Sequence, residues 1–571
     1  MSRSDLRLQR AAPAAAALAA YSTCLLARGW PRDDRWLILE HPLIRAGWPA
    51  LKPLLLSGYV SPVLGAETPI HEWRPLLSLS FLLQRATTGF ASLPLHAVNW
   101  LLHAAVAVLV FEVLRRRMPA RAAAAGAAVF AVLPIHAEVV AYLTSRSEEL
   151  AALSALGAWL LLGLPERPGP KRIAAGTLVY AAGALSKENA LMFPLFLALA
   201  DWTFARRLPW DRERRRVYLG LGLAAAAVLA GRSAILPSIA ASGVSYFAGA
   251  APLVRLLTLA KFWVWSYARP AALGVGLCSD FSRPLVPDAG LDDLAAWACL
   301  LGLAAAFAAA ARALRRRESW GFWLLAPCAF LLPTSQLLMN LDVIGAQRFL
   351  YLPSLGLAAA AAALFARAET RAPLAARAGL AAILLALGAR SAARALDWRD
   401  EEAFDRSLIA CNPASAKARA ALGVDSLRAG RAADGEQSLL AALRLNPELY
   451  EPGYNLAVLE FGHAAFGAAR ARLETARRSR PDEPDGLVLS ALLDERDRRY
   501  DDAAAKLQRA VAVNPYDAKA RFDLARSLAR LGRTAAAAAE VRAYLRLAPD
   551  DPEAGLASRW LETLESAQAP R

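Results

Sequence analysis

Five Xaa-Pro pairs recur every 34 residues in the C-terminal third of the chain: Asn412-Pro413, Asn446-Pro447, Arg480-Pro481, Asn514-Pro515 and Ala548-Pro549. A fixed period of this length is the mark of a solenoid built from helix pairs, with proline ending each second helix. Repeats taken at 416–449, 450–483, 484–517 and 518–551 bring small residues into register. Gly423, Ala457, Ala491 and Ala525 align in the first helix, and Gly435, Ala469, Ala503 and Ala537 align where the two helices cross. Leu439, Leu473, Leu507 and Val541 fill the next core position, followed by Ala442, Ala476 and Ala510, with Tyr544 as the exception. Small side chains are required where two helices touch, so the pattern is that of helix pairs stacked on one another. Residues 394–412 read as a half-repeat leading into the array, and 552–565, with Trp560 and Leu561, as a capping helix.

The rest of the chain has a different character. Hydrophobic residues make up 56% of the 571 and the net charge is +16. Residues 391–571 carry 27 basic and 28 acidic groups, so the first 390 hold 39 and 22. All the excess positive charge therefore lies in the apolar part, where it flanks apolar runs as membrane-facing loops do. No soluble basic face with interleaved aromatic residues is present, which argues against a nucleic-acid partner. The basic loops are Arg115–Arg117 with Arg121, Glu166–Arg172, Arg206–Arg216, Arg315–Arg317 and Arg367–Arg377. Placing all five on the cytoplasmic side gives spans near 11–29, 96–114, 122–136, 149–164, 173–186, 190–205, 217–236, 293–313, 320–338, 350–366 and 375–391. The N-terminus, with Arg3, Arg7 and Arg10, is then cytoplasmic, the first run is an uncleaved span rather than a signal peptide, and the repeats lie on the far side. Two further apolar stretches, 76–92 and 253–270, read as interfacial or re-entrant helices. The expected fold is all-α, a polytopic membrane domain of about eleven transmembrane helices (1–393) followed by an α-solenoid (394–571). Cys24, Cys278, Cys299, Cys328 and Cys411 are scattered, with no CxxC, zinc spacing or disulfide framework; Cys24, Cys299 and Cys328 read as small lipid-buried residues.

With this topology the non-cytoplasmic loops collect the unusual polar residues. Charged groups at span ends are costly unless solvated or paired, so they mark sites or structural pairs. The first loop carries the adjacent carboxylates Asp33 and Asp34 between Trp30 and Trp36, then Glu40, His41, Glu72 and Arg74. His96, Asn99 and His103 follow at i, i+3 and i+7, on one helix face. His136, Glu138, Arg146, Glu148 and Glu149 come next, then Lys187 and Glu188, Asp280, Asn340, Asp342, Arg348 and Tyr351. Cations of this kind can hold a phosphate, and the acids can supply a base. The plainer reading is that the histidines pack, the cations anchor at the interface and Asp33-Asp34 merely ends a span. The histidines lack zinc-enzyme spacing, so a metal is not expected. There is no P-loop and no dinucleotide fingerprint, and no room for a soluble α/β domain. An activated donor would have to be membrane-borne.

In the order of its pieces and in several short motifs the chain resembles the TMTC family, the transmembrane and tetratricopeptide-repeat O-mannosyltransferases of the GT-C class. The motifs are Asp33-Asp34 after the first span, Trp73-Arg74-Pro75-Leu76, His96-Ala97-Val98-Asn99-Trp100-Leu101-Leu102-His103, Pro134-Ile135-His136-Ala137-Glu138, Ser145-Arg146-Ser147-Glu148, Ser186-Lys187-Glu188, and Arg348–Ser354. Trp73 stands where tyrosine is usual and Leu133 where histidine is frequent, which bears on details of the site. The resemblance implies transfer of a sugar, mannose in the family, from a polyprenyl-phosphate carrier to a protein hydroxyl. Asp33 or Asp34 would be the base. Arg74, His96, Asn99, His136, Glu138, Arg146, Lys187, Glu188, Arg348 and Tyr351 would form the substrate and lipid-phosphate site, and the repeats would bind the acceptor protein. An Ala/Arg-rich, Lys-poor composition suggests a GC-rich bacterium, hence an inner membrane with the repeats periplasmic. The rival readings are a non-catalytic membrane-anchored repeat scaffold, and a transporter or flippase. The latter would call for inverted repeats and mid-membrane polar groups, neither of which is evident.

Overall fold

The structure is a computed structural model describing residues 3–64, 72–163, 168–236, 246–282, 285–338, 341 and 343–566. Asn340 and Asp342 lie outside the described residues. The described elements are all helical. They form two compact units. The first comprises Met1–Pro31, Trp73–Ser80 and Thr88–Asn412; the second comprises Arg32–Glu72, Phe81–Thr87 and Pro413–Arg571.

Each of the eleven apolar runs in the first unit contains helix. Four helices are long and apolar enough to cross a membrane on their own: Ser92–Leu114, Arg215–Ile235, Leu294–Arg315 and the helical run Pro373–Trp398. A fifth span arises if Ala120–Ala131 and Pro134–Ala141, bent by 50°, count as one. The proline supplies the bend, because it cannot donate to the preceding turn. The expected count of about eleven is not reached by length and composition, and polar or breaking residues account for the difference. Arg3–Ala20 begins with basic residues and Asp5, and Arg146–Leu162 opens on Arg146, Glu148 and Glu149. Phe193–Ala200 passes into a π-helical turn at Asp201–Ala205, and Pro327 separates Ser319–Leu325 from the 3-10 segment Pro327–Thr334.

Ser92–Leu114 is the central helix of this unit. It packs against Arg3–Ala20, Ala120–Ala131 and Arg146–Leu162, and 56% of its apolar window is buried, against 6–17% for the other three long helices. Those three instead expose leucines such as Leu219, Leu223, Leu294, Leu301, Leu374 and Leu385. An apolar surface this extensive is stable against lipid and not against water. Close helix approach depends on small residues: a Cβ on Gly126 would lie 2.3 Å from the Ala358 carbonyl oxygen. The chain is an all-helical membrane protein.

Four of the five basic loops meet on one face of this unit. Arg117 lies 4.4 Å from the Phe204 ring centroid and Arg317 4.3 Å from that of Trp202. Arg214 donates to Asp201 at 2.6 Å, and Asp201 also accepts from Tyr218. Arg121 and Arg377 share Glu369. Arg10 pairs with Glu112 beside Arg115, which brings the N-terminal helix to the same face.

In the second unit every 34-residue period holds a helix pair: Ala416–Arg428 with Ala432–Leu445, Tyr450–Gly462 with Phe466–Arg477, Pro484–Arg496 with Tyr500–Val513, and Ala518–Arg530 with Thr534–Leu547. Ala554–Ser566 follows, with Trp560 and Leu561 packed on the last pair. The aligned small residues are buried as the register requires. A Cβ at Gly435 would sit 2.6 Å from the Leu427 side chain and 2.9 Å from the Gly423 carbonyl oxygen. Gly435→Leu is therefore expected to overpack this crossing and destabilise the repeats by about 1–3 kcal/mol, seen as an earlier denaturant midpoint for loss of helicity.

Residues 32–64 begin with Arg32 in a left-handed conformation, φ 52°. His41 is fully buried, and its Nδ1 accepts from the Ile44 amide at 3.3 Å, capping the short helix Pro42–Ala46. Burial pushes the imidazole down to about 4. The folded state thus prefers neutral His41, while the unfolded chain protonates near 6.5. Stability should fall as pH drops from about 6.5, by up to ~1.4 kcal/mol per pH unit, and level off below about 4. Equilibrium unfolding of the full-length protein across this range measures the step, which His41→Asn removes.

Candidate active site

Three of the predicted cations of the first unit, Arg74, Lys187 and Arg348, come together, each held by a carboxylate. Arg74 donates through Nε and Nη2 to Glu188 Oε2 at 3.3 and 3.1 Å. Arg232 reaches the other oxygen of Glu188 at 3.0 Å. Lys187 pairs with Glu148 at 2.7 Å, and Asn189 donates to the second oxygen of Glu148. Arg348 donates to Glu138 at 2.6 Å. Lys187 and Arg348 lie 5.6 and 5.4 Å from the centroid of the Phe349 ring. Burial alone would raise Glu188, but Arg74 and Arg232 outweigh it and hold the carboxyl down at about 2.

Local structure explains how these groups reach one place. Lys187 is an extended residue between Pro170–Ala184 and the 3-10 turn Glu188–Met192. Arg348 sits in the 3-10 turn Gln347–Leu350, just before Leu355–Arg371. Glu138 lies in Ala137–Ala141, past the bend at Pro134. Short turns between long helices let several elements point charges at one spot. Arg232 is seventeen residues beyond Arg215 on one helix, roughly 26 Å along its axis. The cluster therefore lies toward the opposite end of that helix from the basic loop at Arg214, where Asp201 is held.

A second, fully buried group lies within the helices. His103 shares a hydrogen bond of 2.7 Å with the Tyr351 hydroxyl, and its Nε2 lies 3.0 Å from the Ala131 carbonyl oxygen. His136 Nε2 is 2.9 Å from Ser354 Oγ, and its ring centroid is 4.7 Å from that of Tyr351. Arg146 donates to Asn99 Oδ1 at 2.7 Å, to Ser80 and to the Leu95 carbonyl. His96 bonds back to Ser92. The predicted residues thus separate into a charged cluster (Arg74, Glu138, Lys187, Glu188, Arg348) and a buried frame (His96, Asn99, His136, Arg146, Tyr351). Arg232 was missed by sequence reasoning because it lies inside a span; an arginine near the end of an apolar helix is the signal that marks it. Tyr267 accepts from the Ala346 amide at 3.0 Å, two residues before Arg348.

Asp33 and Asp34 belong to the second unit. They precede a π-helical turn, Arg35–Leu39, and the Glu40 amide closes that turn on the Arg35 carbonyl at 2.7 Å. Asp34 is completely buried, whereas Asp33 is half-exposed. The same unit contains a cleft of about 380 Å³ between residues 40–63 and the ends of the later repeats. Its charged lining residues are acidic apart from Arg45: Glu40, Glu483, Asp485, Asp517, Asp550 and Asp551. Among the described residues no group of three or more His, Cys, Asp or Glu is arranged to hold a metal ion.

A tetratricopeptide-repeat family model matches residues 488–552. The chain is similar to Protein O-mannosyl-transferase Tmtc1 of Drosophila melanogaster, 27% identical over 529 residues that cover 75% of this chain and 60% of that protein. It is 27% identical to Protein O-mannosyl-transferase TMTC4 of Mus musculus over 453 residues, 68% of this chain and 60% of the relative. To Protein O-mannosyl-transferase TMTC1 of Mus musculus it is 35% identical over 153 residues, 26% of this chain and 16% of that one. The chain thus spans about 60% of the length of the first of these relatives.

Proposed function

We propose that this homologue of the TMTC protein O-mannosyl-transferases is itself a membrane glycosyltransferase, moving a sugar, mannose by analogy, from a polyprenyl-phosphate carrier to a protein hydroxyl. The observation that carries the reading is the cluster of Arg74, Lys187, Arg232 and Arg348, four cations against Glu138, Glu148 and Glu188. A leaving lipid phosphate needs such a cluster, because charge builds on its oxygens as the sugar–oxygen bond breaks. The carboxylates hold the cations in place beforehand, so little reorganisation is required when the anion arrives.

The reaction is a single displacement. An aspartate takes the proton of the acceptor hydroxyl, the hydroxyl oxygen bonds to the anomeric carbon, and the phosphate departs with the electron pair of the old bond. The configuration inverts. Asp33 is assigned the proton transfer because it is half-exposed, and Asp34, fully buried at the start of the turn, is assigned its positioning. The sugar acquires oxocarbenium character in the transition state, which a nearby carboxylate stabilises. His103, His136, Tyr351, Arg146 and Asn99 hold the helices that carry the cations. The repeats bind the acceptor protein. The protein resides in a bacterial inner membrane, with the cluster and the repeats on the periplasmic side.

The donor class is the test. Purified protein in vesicles is given mannose on a polyprenyl phosphate, on a polyprenyl pyrophosphate, or on a nucleotide. Transfer from the polyprenyl phosphate alone is expected. Transfer from the nucleotide sugar without lipid would overturn the reading.

A further inference from the structure

Sequence spacing gave no reason to pair any cysteines, yet the fold joins Cys278 to Cys411 across 133 residues, with Cα atoms 5.6 Å apart. That separation is within the range a disulfide spans. Cys24, Cys299 and Cys328 are free, Cys24 buried and the other two half-buried. Two polar contacts flank the bond and join the same segments. Asn412 Nδ2 donates to Ser282 Oγ at 2.9 Å, and Arg394 donates to Ser279 Oγ at 2.9 Å. Arg394 is itself held by Asp397 and lies 4.7 Å from the Trp398 ring centroid. The joint between loop 278–282 and residues 394–412 is therefore built by side chains beyond the sulfurs.

The loop also backs the charged cluster. Phe281 meets Phe262 edge-on at 5.1 Å, Phe262 packs on Tyr267 at 4.7 Å, and Tyr267 holds the Ala346 amide just before Arg348. At its other end, Cys411 closes the helix Glu401–Cys411, after which the chain continues into the repeats.

We propose that Cys278–Cys411 is a working disulfide that latches the last residues of the first unit onto the loop behind Arg348, and that the membrane face carrying Arg348 looks into an oxidising compartment. The bond forms by thiol–disulfide exchange. The two thiols lose two protons and two electrons to a protein or small-molecule disulfide, which leaves as two thiols. Reducing compartments do not sustain such a bond, so its presence assigns the side of the membrane.

The test uses full-length protein in sealed vesicles, with an N-terminal tag marking the face of the basic loops. Without reductant, the peptides bearing Cys278 and Cys411 should be recovered linked and unreactive to maleimide. A membrane-impermeant phosphine should release them only from the face opposite the tag. Two thiols alkylated without reductant, or release only from the tag's face, would overturn the proposal. Reduction should also speed tryptic cleavage at Arg399 and Arg406 about 30-fold, the lower end of what closing such a loop contributes. The double variant Cys278→Ser/Cys411→Ser should match the reduced protein, and reduction of folded wild type supplies the readout if that variant fails to accumulate. Cleavage unchanged by reduction would remove the latch. Neither readout depends on sugar transfer, so the proposal and the transferase reading can fail separately.

Discussion

Asp33→Asn is expected to lower kcat/KM for sugar transfer by about 10³ while leaving the protein folded. The amide keeps the size of the side chain and loses the basicity, and general-base contributions generally span ~10²–10⁴. Asp33 is half-exposed, so the substitution does not leave a dry cavity. Asp34→Asn should behave differently. Asp34 has no exposed surface, and an amide there alters the hydrogen bonding of a buried turn. Its expected signature is a lower unfolding midpoint together with partial loss of transfer. The pair is separated by measuring transfer and thermal unfolding on the same preparations. Full activity in Asp33→Asn would move the base elsewhere.

Arg348→Ala is expected to reduce transfer by about 10²–10³, the scale of removing one preorganised group from a developing anion. Arg348 has the most exposed side chain of the four cations, at 31% against 5–12% for the other three. It is the one best able to turn from its carboxylate to an incoming phosphate. Part of any loss would come from Glu138, which is nearly buried and would lose the Arg348 partner. Two further variants separate the effects. Arg348→Lys keeps the charge and loses the planar fork, so it should recover transfer only in part. Glu138→Gln removes the restraining charge without touching the cation and should retain most activity. A loss in Glu138→Gln equal to that in Arg348→Ala would mean the ion pair serves the fold alone.

The repeats were legible because a 34-residue period repeats the same packing problem four times, and each aligned glycine, alanine and leucine answers it alike. The membrane helices were legible as apolar runs. Their number was less so, because polar and helix-breaking residues interrupt the hydropathy: Arg146, Glu148 and Glu149 at one helix start, Pro134 in a bend, Asp201 in a π-turn. Lys187, Glu188, Arg74, Glu138 and Arg348 stood out as charges beside apolar segments, as did Glu148, the partner of Lys187, whereas Arg232, the second partner of Glu188, did not. Their pairing was not visible, since it joins elements distant in sequence, 114 residues apart in Arg74–Glu188 and 210 in Arg348–Glu138. The Cys278–Cys411 bond was hidden for the same reason. Asp33 and Asp34 look alike in sequence, and only burial tells them apart.

The most direct test of the central claim is the intact mass of a serine- and threonine-bearing acceptor protein. It is incubated with polyprenyl-phosphate mannose and vesicles containing wild-type protein, with Asp33→Asn vesicles as the control. The account predicts a gain of whole hexose units with wild type and little or none with the variant. Unchanged acceptor mass with wild type, while the repeats still retain the acceptor on the vesicles, would contradict it and leave a membrane-anchored scaffold.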